Sequence, residues 1–118
     1  MLFVWYPNCS TCKKAKAFLE ERGFSFEARD VKTDHPTEEE LRLWQGRSGL
    51  PLKRFFNTSG LRYKELGLAA RLPEMSEEEK LALLASDGML VKRPILVGKD
   101  FVLVGFRQGE WEDTLEKA

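Results

Sequence analysis

The chain has 118 residues, is 42% hydrophobic and 32% charged, and carries 19 basic and 19 acidic side chains for a net charge of zero. That size suits one domain spanning residues 1–118, and the composition excludes wholesale disorder. The charge balance excludes a broad basic surface for direct nucleic-acid or membrane binding, and the longest apolar run, Met1–Tyr6, falls far short of the roughly 20 residues of a membrane helix.

Leu2–Tyr6 is short, apolar and rich in strand formers, and Pro7-Asn8 stops it. It reads as a strand buried on both faces, central in its sheet. A helix follows from about Cys12 to Arg22, with Cys12, Ala15, Phe18 and Leu19 at core-facing spacing and Gly23 where a left-handed C-terminal cap belongs. Phe24–Val31 alternates loosely and predicts a second strand, parallel to the first through a right-handed crossover.

From about Lys32 to Gly88 the pattern turns helical and reads as an insertion. Thr37-x-x-Glu40 and Ser76-x-x-Glu79 are capping-box signatures. The first opens a helix carrying Leu41 and Trp44, the second one carrying Leu81, Leu84 and Ala85. Between them, Pro51–Phe56 and Arg62–Leu66 predict shorter helices around an Asn57-Thr58-Ser59-Gly60 turn. Strands return at Leu90–Val97, interrupted by Arg93-Pro94, and at Phe101–Val104, joined by a Gly98-Lys99-Asp100 hairpin turn. A last helix near Gly109–Lys117 buries Trp111 and Leu115. The order βαβ, helical insertion, ββα predicts an α/β, thioredoxin-like fold with a four-stranded mixed sheet.

The chemistry concentrates at Asn8-Cys9-Ser10-Thr11-Cys12-Lys13-Lys14, between the first strand and the first helix. No basic stretch precedes Met1–Tyr6 as it would in a secretory signal, and two cysteines do not make a disulfide scaffold. A monomeric cytoplasmic protein with working thiols is the expectation, and Cys-x-x-Cys at a βα junction is the sign of a dithiol redox site. Cys9 precedes the helix, where orphan N–H groups and the positive end of the dipole favour a thiolate; Lys13 and Lys14 add to that field. Cys12 lies on the first turn facing inward, so Cys9 is expected to attack and Cys12 to resolve. Zinc ligation and inert core filling are the other roles open to the pair. A closed zinc site needs four ligands, and a single chain offers only His35 besides, so no metal is expected. A core filler has no reason to sit at a helix start.

The thiol loop, Phe55-Phe56-Asn57-Thr58-Ser59-Gly60, Tyr63-Lys64-Glu65-Leu66-Gly67-Leu68, Asp87-Gly88-Met89-Leu90 and Lys92-Arg93-Pro94-Ile95 occur in this order. Together they resemble the arsenate reductase/Spx family of thioredoxin-like proteins over nearly the whole chain. The resemblance implies Cys9 as nucleophile, a cis peptide before Pro94, and Arg93 at the position of an arginine that holds the oxyanion in true arsenate reductases. No bound cofactor is expected, with electrons supplied by an external thiol such as glutathione with glutaredoxin, or thioredoxin. Two positions depart from the reductases. Those that depend on glutathione and glutaredoxin have serine where this chain has Cys12, and a second oxyanion-binding arginine falls on Asn57. Arg107 stands close to the third. Losing one charge-assisted bond costs roughly 1.5–3 kcal/mol, so oxyanion reduction is expected to be weak. The Cys-x-x-Cys pair is shared with Spx-type regulators, which implies the alternative of a redox-sensing transcription regulator whose insertion docks on RNA polymerase. The chain stops shortly after its last helix, which speaks mildly against that alternative.

From Arg47 through Lys64 there are five basic residues and no acidic one, interleaved with Phe55, Phe56 and Tyr63. This run reads either as a patch for an acidic partner or an anion, or as a solvated helix face over buried aromatics. His35 reads as a loop residue. Trp5, Trp44 and Trp111 are spaced as packing residues.

Overall fold

The computed structural model describes residues 1–117. Its sheet consists of β1 (Leu2–Trp5), β2 (Glu27–Asp30), β3 (Ile95–Val97) and β4 (Val102–Val104) in the order β2-β1-β3-β4. β1 and β2 are parallel, while β1–β3 and β3–β4 are antiparallel. This is the mixed thioredoxin-like sheet expected from the element order, with β1 inside it.

Register explains the two-sided core. Phe3, Leu96 and Leu103 stand side by side across β1, β3 and β4. On that face they pack against Ala15, Phe18 and Leu19 of α1 (Ser10–Glu21), and against Trp111 and Leu115 of α6 (Gln108–Lys117). The neighbouring row, Val4, Ile95 and Val104, faces the other way. It meets Leu41 and Trp44 of α2 (Glu38–Ser48), Tyr63 of α3 (Leu61–Glu65), Leu68 of α4 (Leu68–Arg71), and Leu81 and Leu84 of α5 (Glu77–Ser86). Burying each such leucine or aromatic contributes roughly 1.5–3 kcal/mol, which makes β1, apolar at every residue, the natural centre of three layers.

The helix ends form as their residues dictate. Glu40 N–H donates to Thr37 Oγ1 at 3.1 Å, and Thr37 N–H returns to Glu40 Oε1 at 3.0 Å. Ser76 and Glu79 repeat the arrangement at 3.1 and 2.9 Å. α1 ends in a Schellman motif: Gly23 has φ +74°, and Phe24 N–H donates to the Leu19 carbonyl at 3.1 Å. In the hairpin, Gly98 N–H donates to Phe101 O at 2.9 Å.

Three expectations change in detail. The second strand covers only Glu27–Asp30, because Phe24 and Phe26 leave the ladder to pack beneath the sheet with Phe3. As an edge strand β2 has one neighbour, and Glu27 and Ala28 are exposed. The predicted strand Leu90–Val97 is divided. Gly88–Leu90 is a 3₁₀ turn, Val91 forms a lone antiparallel bridge with Phe56, and the ladder begins only at Ile95. Pro94 lacks the N–H that a continuous ladder would need. The stretch after Leu66 adds α4 and a 3₁₀ turn at Leu72–Glu74, which the sequence pattern did not separate.

The Val91–Phe56 bridge positions the site. Asn57 N–H donates to Leu90 O and Lys92 N–H donates to Phe55 O, both at 2.8 Å. These bonds fasten the 3₁₀ turn Leu52–Phe55 and the Asn57–Gly60 turn beside Arg93-Pro94.

Candidate active site

Cys9 is the N-cap residue of α1, with extended backbone (φ −93°, ψ 119°), and Cys9 N–H donates to Tyr6 O at 2.9 Å. As a neutral thiol it makes no capping bond, and no acidic residue occupies the first turn. The place a capping carboxylate would take is therefore left to a thiolate. Partial burial pushes the Cys9 thiol up. The backbone N–H of Cys12, the Cys12 thiol, the charge of Arg93 and the Thr11 N–H together outweigh it, so the pKa lies below the ordinary 9.0. Lys13 and Lys14, expected to contribute to this field, stand exposed on α1 away from the cleft; Arg93 is the cation that acts.

Cys12 is fully buried, and Tyr6 N–H is directed at its Sγ at 3.5 Å. Burial pushes its thiol up to about 12 against the Tyr6 N–H, with the Cys9 thiol and its negative charge adding to the rise. Both cysteines are free thiols. The two thiols are thus shifted in opposite directions, the outer one down and the inner one up.

Cys9 opens into a cleft of about 410 Å³ lined by Thr11, Arg54, Asn57, Ser59, Gly60, Lys92, Arg93, Val104, Gly105, Phe106 and Arg107. Arg93, Asn57 and Arg107, named from sequence, all reach this cleft, and Cys12 lies beneath it. The Arg93-Pro94 peptide is cis. Arg93 is half-buried; its guanidinium carbon lies 5.1 Å from the Tyr6 ring centre, and Nη1 donates to Met89 O at 3.5 Å. Asn57 accepts at its side-chain oxygen from Ser59 Oγ at 3.3 Å and at its backbone oxygen from Gly60 N–H at 3.0 Å. A Cβ at Gly60 would meet Asn57 Nδ2 at 2.6 Å, so a larger residue there would displace that amide. On the opposite wall, Gly105 (φ +77°) donates to Pro94 O at 2.8 Å and accepts from Trp111 Nε1 at 3.0 Å. This ties the cleft lining to the aromatic core.

Sequence reasoning missed Arg54 and Lys92 as cleft residues. The signal for Arg54 was the acid-free run Arg47–Lys64, but the structure divides that run. Phe55, Phe56 and Tyr63 are buried, Arg47 donates to Gly98 O at 2.7 Å, and Arg62 pairs with Asp87 and Glu65. Only Arg54 from the run's cations joins the cleft. His35 lies in an exposed loop outside it. Trp44 and Trp111 pack in the core as expected, while Trp5 is half-buried under Lys16, 5.6 Å from its ring centre. Among the described residues no cluster of three or more potential metal ligands occurs, and no helix is long and apolar enough to cross a membrane.

Comparison with known proteins agrees with this fold. The model of the ArsC family matches residues 4–114. A solved structure of an ArsC family related protein from Bacteroides fragilis superposes with a TM-score of 0.93 at 56% identity, covering 95% of this chain and 94% of that one. A structure described as a possible arsenate reductase from Streptococcus mutans gives 0.86 at 44% identity, covering 94% and 96%. The regulatory protein MgsR of Bacillus subtilis is 31% identical over 110 residues, 93% of this chain and 86% of that protein. The chain belongs to the ArsC family.

Proposed function

We propose that this ArsC-family chain is a thiol–disulfide oxidoreductase of the cytoplasm, acting as a monomer, with Cys9 as nucleophile and Cys12 as resolving thiol. The observation that carries this reading is the opposite polarisation of the two sulfurs: Cys9 lowered in an open cleft, Cys12 buried and raised to about 12. The Cys9 thiolate attacks one sulfur of a disulfide R–S–S–R, forming Cys9–S–S–R and releasing RS⁻. Once the negative charge on Cys9 is consumed, one contribution to the raised Cys12 pKa disappears. Cys12 then gives up its proton and attacks Cys9, closing the Cys9–Cys12 disulfide and expelling the second RS⁻. An external thiol, such as glutathione with glutaredoxin or thioredoxin, returns two electrons and one proton, restoring the Cys9 thiolate and the Cys12 thiol.

The substrate is a glutathione-type or protein disulfide. Oxyanion reduction is a weaker activity, since Arg93 and Arg107 face the cleft but Asn57 brings no charge. The test is turnover of wild type, Cys9→Ser and Cys12→Ser with disulfide and with arsenate, each supplied with glutaredoxin or thioredoxin. Disulfide turnover lost in Cys9→Ser, and a trapped mixed disulfide in Cys12→Ser, are the expected results. Full turnover without Cys9 refutes the assignment.

The likeness to MgsR favours one second reading, a redox-sensing regulator in which the same dithiol is a switch. Capture of RNA polymerase by the oxidised form, and not by the reduced one, would select that reading.

A further inference from the structure

Two cations of the acid-free run Arg47–Lys64 serve neither the fold nor the thiol. Arg47 is engaged by the Gly98 carbonyl, Arg62 by Asp87 and Glu65, and Arg54 lines the thiol cleft. Lys53 and Lys64 instead border a second surface feature, on the helical insertion. It consists of two depressions of about 380 and 110 Å³ that share Tyr63 and Ala69 and so form one trough.

The walls of the trough are apolar. Leu68 and Ala69 come from α4, and Leu72 and Pro73 from the 3₁₀ turn that follows it. Tyr63, 6% exposed, separates the two depressions and is backed by Phe56, the ring centres 6.4 Å apart. Ala69 is exposed, and its small side chain leaves the middle of the trough open. Every charged residue lining the trough is a lysine: Lys64 at the larger depression, Lys53 and Lys80 at the smaller. Lys80 stands 3.8 Å from Glu77, a loose pair whose acid is exposed. Among the described residues, Lys53 and Lys64 enter no ion pair. Of the acids next to the lining residues in the chain, Glu65 is bonded to Arg62 and Glu74 lies outside the trough. An apolar floor with cations at both ends is complementary to a segment that combines apolar side chains with carboxylates.

The trough also lies back to back with the thiol cleft. Lys53 and Arg54 are consecutive on the 3₁₀ turn Leu52–Phe55, the first at the trough and the second at the cleft. In the next turn, Asn57, Ser59 and Gly60 line the cleft while Thr58 lines the trough. We infer that the trough docks an acidic segment with apolar side chains, belonging to a protein disulfide substrate, and so delivers its disulfide to Cys9. The inference rests on the thiol-exchange reading above and selects the protein disulfide from its two substrate classes. The Cys9 thiolate forms a bond to one substrate sulfur, the substrate S–S bond breaks, and the other sulfur leaves as a thiolate with the electron pair. The trough residues take no part in these bond changes, so a small disulfide reacts without them.

The test uses short cysteine peptides activated as pyridyl disulfides, one built of glutamates and leucines and one of lysines and leucines, with hydroxyethyl pyridyl disulfide as the small neutral control. Release of thiopyridone is followed for reduced wild type, Lys53→Glu/Lys64→Glu and Ala69→Gln, the last filling the trough without adding charge. Wild type should prefer the acidic peptide over the basic one, and the double lysine variant should lower that ratio about tenfold at low ionic strength. Ala69→Gln should slow the acidic peptide, and all three proteins should react equally with the small control, which shows that folding and the thiol are intact. In parallel, a cysteine-free version of the acidic peptide is titrated into wild type by NMR, with shifts expected at Gly67, Ala69 and Lys80. Equal rates for the two peptides, or a ratio indifferent to Lys53 and Lys64, overturn the docking site while leaving exchange with the small control standing. Peptide binding at the trough in a protein whose thiols react with none of the disulfides supports the docking site and rejects the exchange reading.

Discussion

Arg93 and Tyr6 form a cation–π pair, the guanidinium carbon 5.1 Å from the ring centre. The pair joins the segment before β3 to the end of β1, and the Tyr6 N–H reaches on to Cys12 Sγ. A charge held in this way acts on Cys9 from a fixed direction. Arg93→Ala should raise the Cys9 pKa and slow its alkylation at neutral pH by a factor of about three. Iodoacetamide kinetics against pH provide the check; an unchanged profile would mean that the helix start alone sets the thiolate.

The buried thiol predicts a stability change in alkali. The folded-state pKa of Cys12 is raised from 9.0 to about 12. Below pH 9.0 both folded and unfolded chains hold the proton, and the stability is fully present. Between 9.0 and about 12 the unfolded chain loses the proton first, so stability falls as pH rises through that window. The denaturation midpoint of reduced wild type should decline across this range more steeply than that of Cys12→Ala.

Gly88 predicts a purely steric effect. A Cβ there would lie 1.8 Å from the Val31 carbonyl oxygen, and because that obstacle is backbone, no flexible side chain can move aside to relieve it. Gly88→Ala should destabilise by about 3 kcal/mol in urea unfolding. A loss near zero would show that the segment after α5 can shift away from the end of β2.

Trp111 predicts a link from core to cleft. Its Nε1 donates to Gly105 O at 3.0 Å, and Gly105 lines the cleft. Trp111→Phe retains a ring but leaves that buried carbonyl without its donor, at a cost of about 1–3 kcal/mol. The thermal midpoint should fall, and NMR shifts should change at Gly105 and Arg107 as well as in the core.

Residues that act through their neighbours along the chain are legible in the amino-acid order alone. The apolar run of β1, the capping boxes of α2 and α5, Gly23 and the hairpin at Gly98-Lys99-Asp100 each satisfy local backbone or burial requirements within a few residues. The dithiol is legible for the same reason: a helix start is a local electrostatic object, and Cys9 occupies it. The combination of motifs also points to Arg93, Asn57 and Arg107, which the fold brings to the same cleft.

What only the tertiary structure decided is where the charge goes. Arg47, Arg54 and Arg62 lie in one basic run, yet the first is spent on a backbone carbonyl at the hairpin and the last on carboxylates. Of the three, Arg54 alone lines the thiol's cleft, on a turn that the bridge between Phe56 and Val91 fastens beside Lys92. That bridge joins segments far apart in the chain and depends on a strand that Pro94 prevents from continuing. Periodicity reports which face of an element is buried; which faces of distant elements meet is fixed only when the whole core packs.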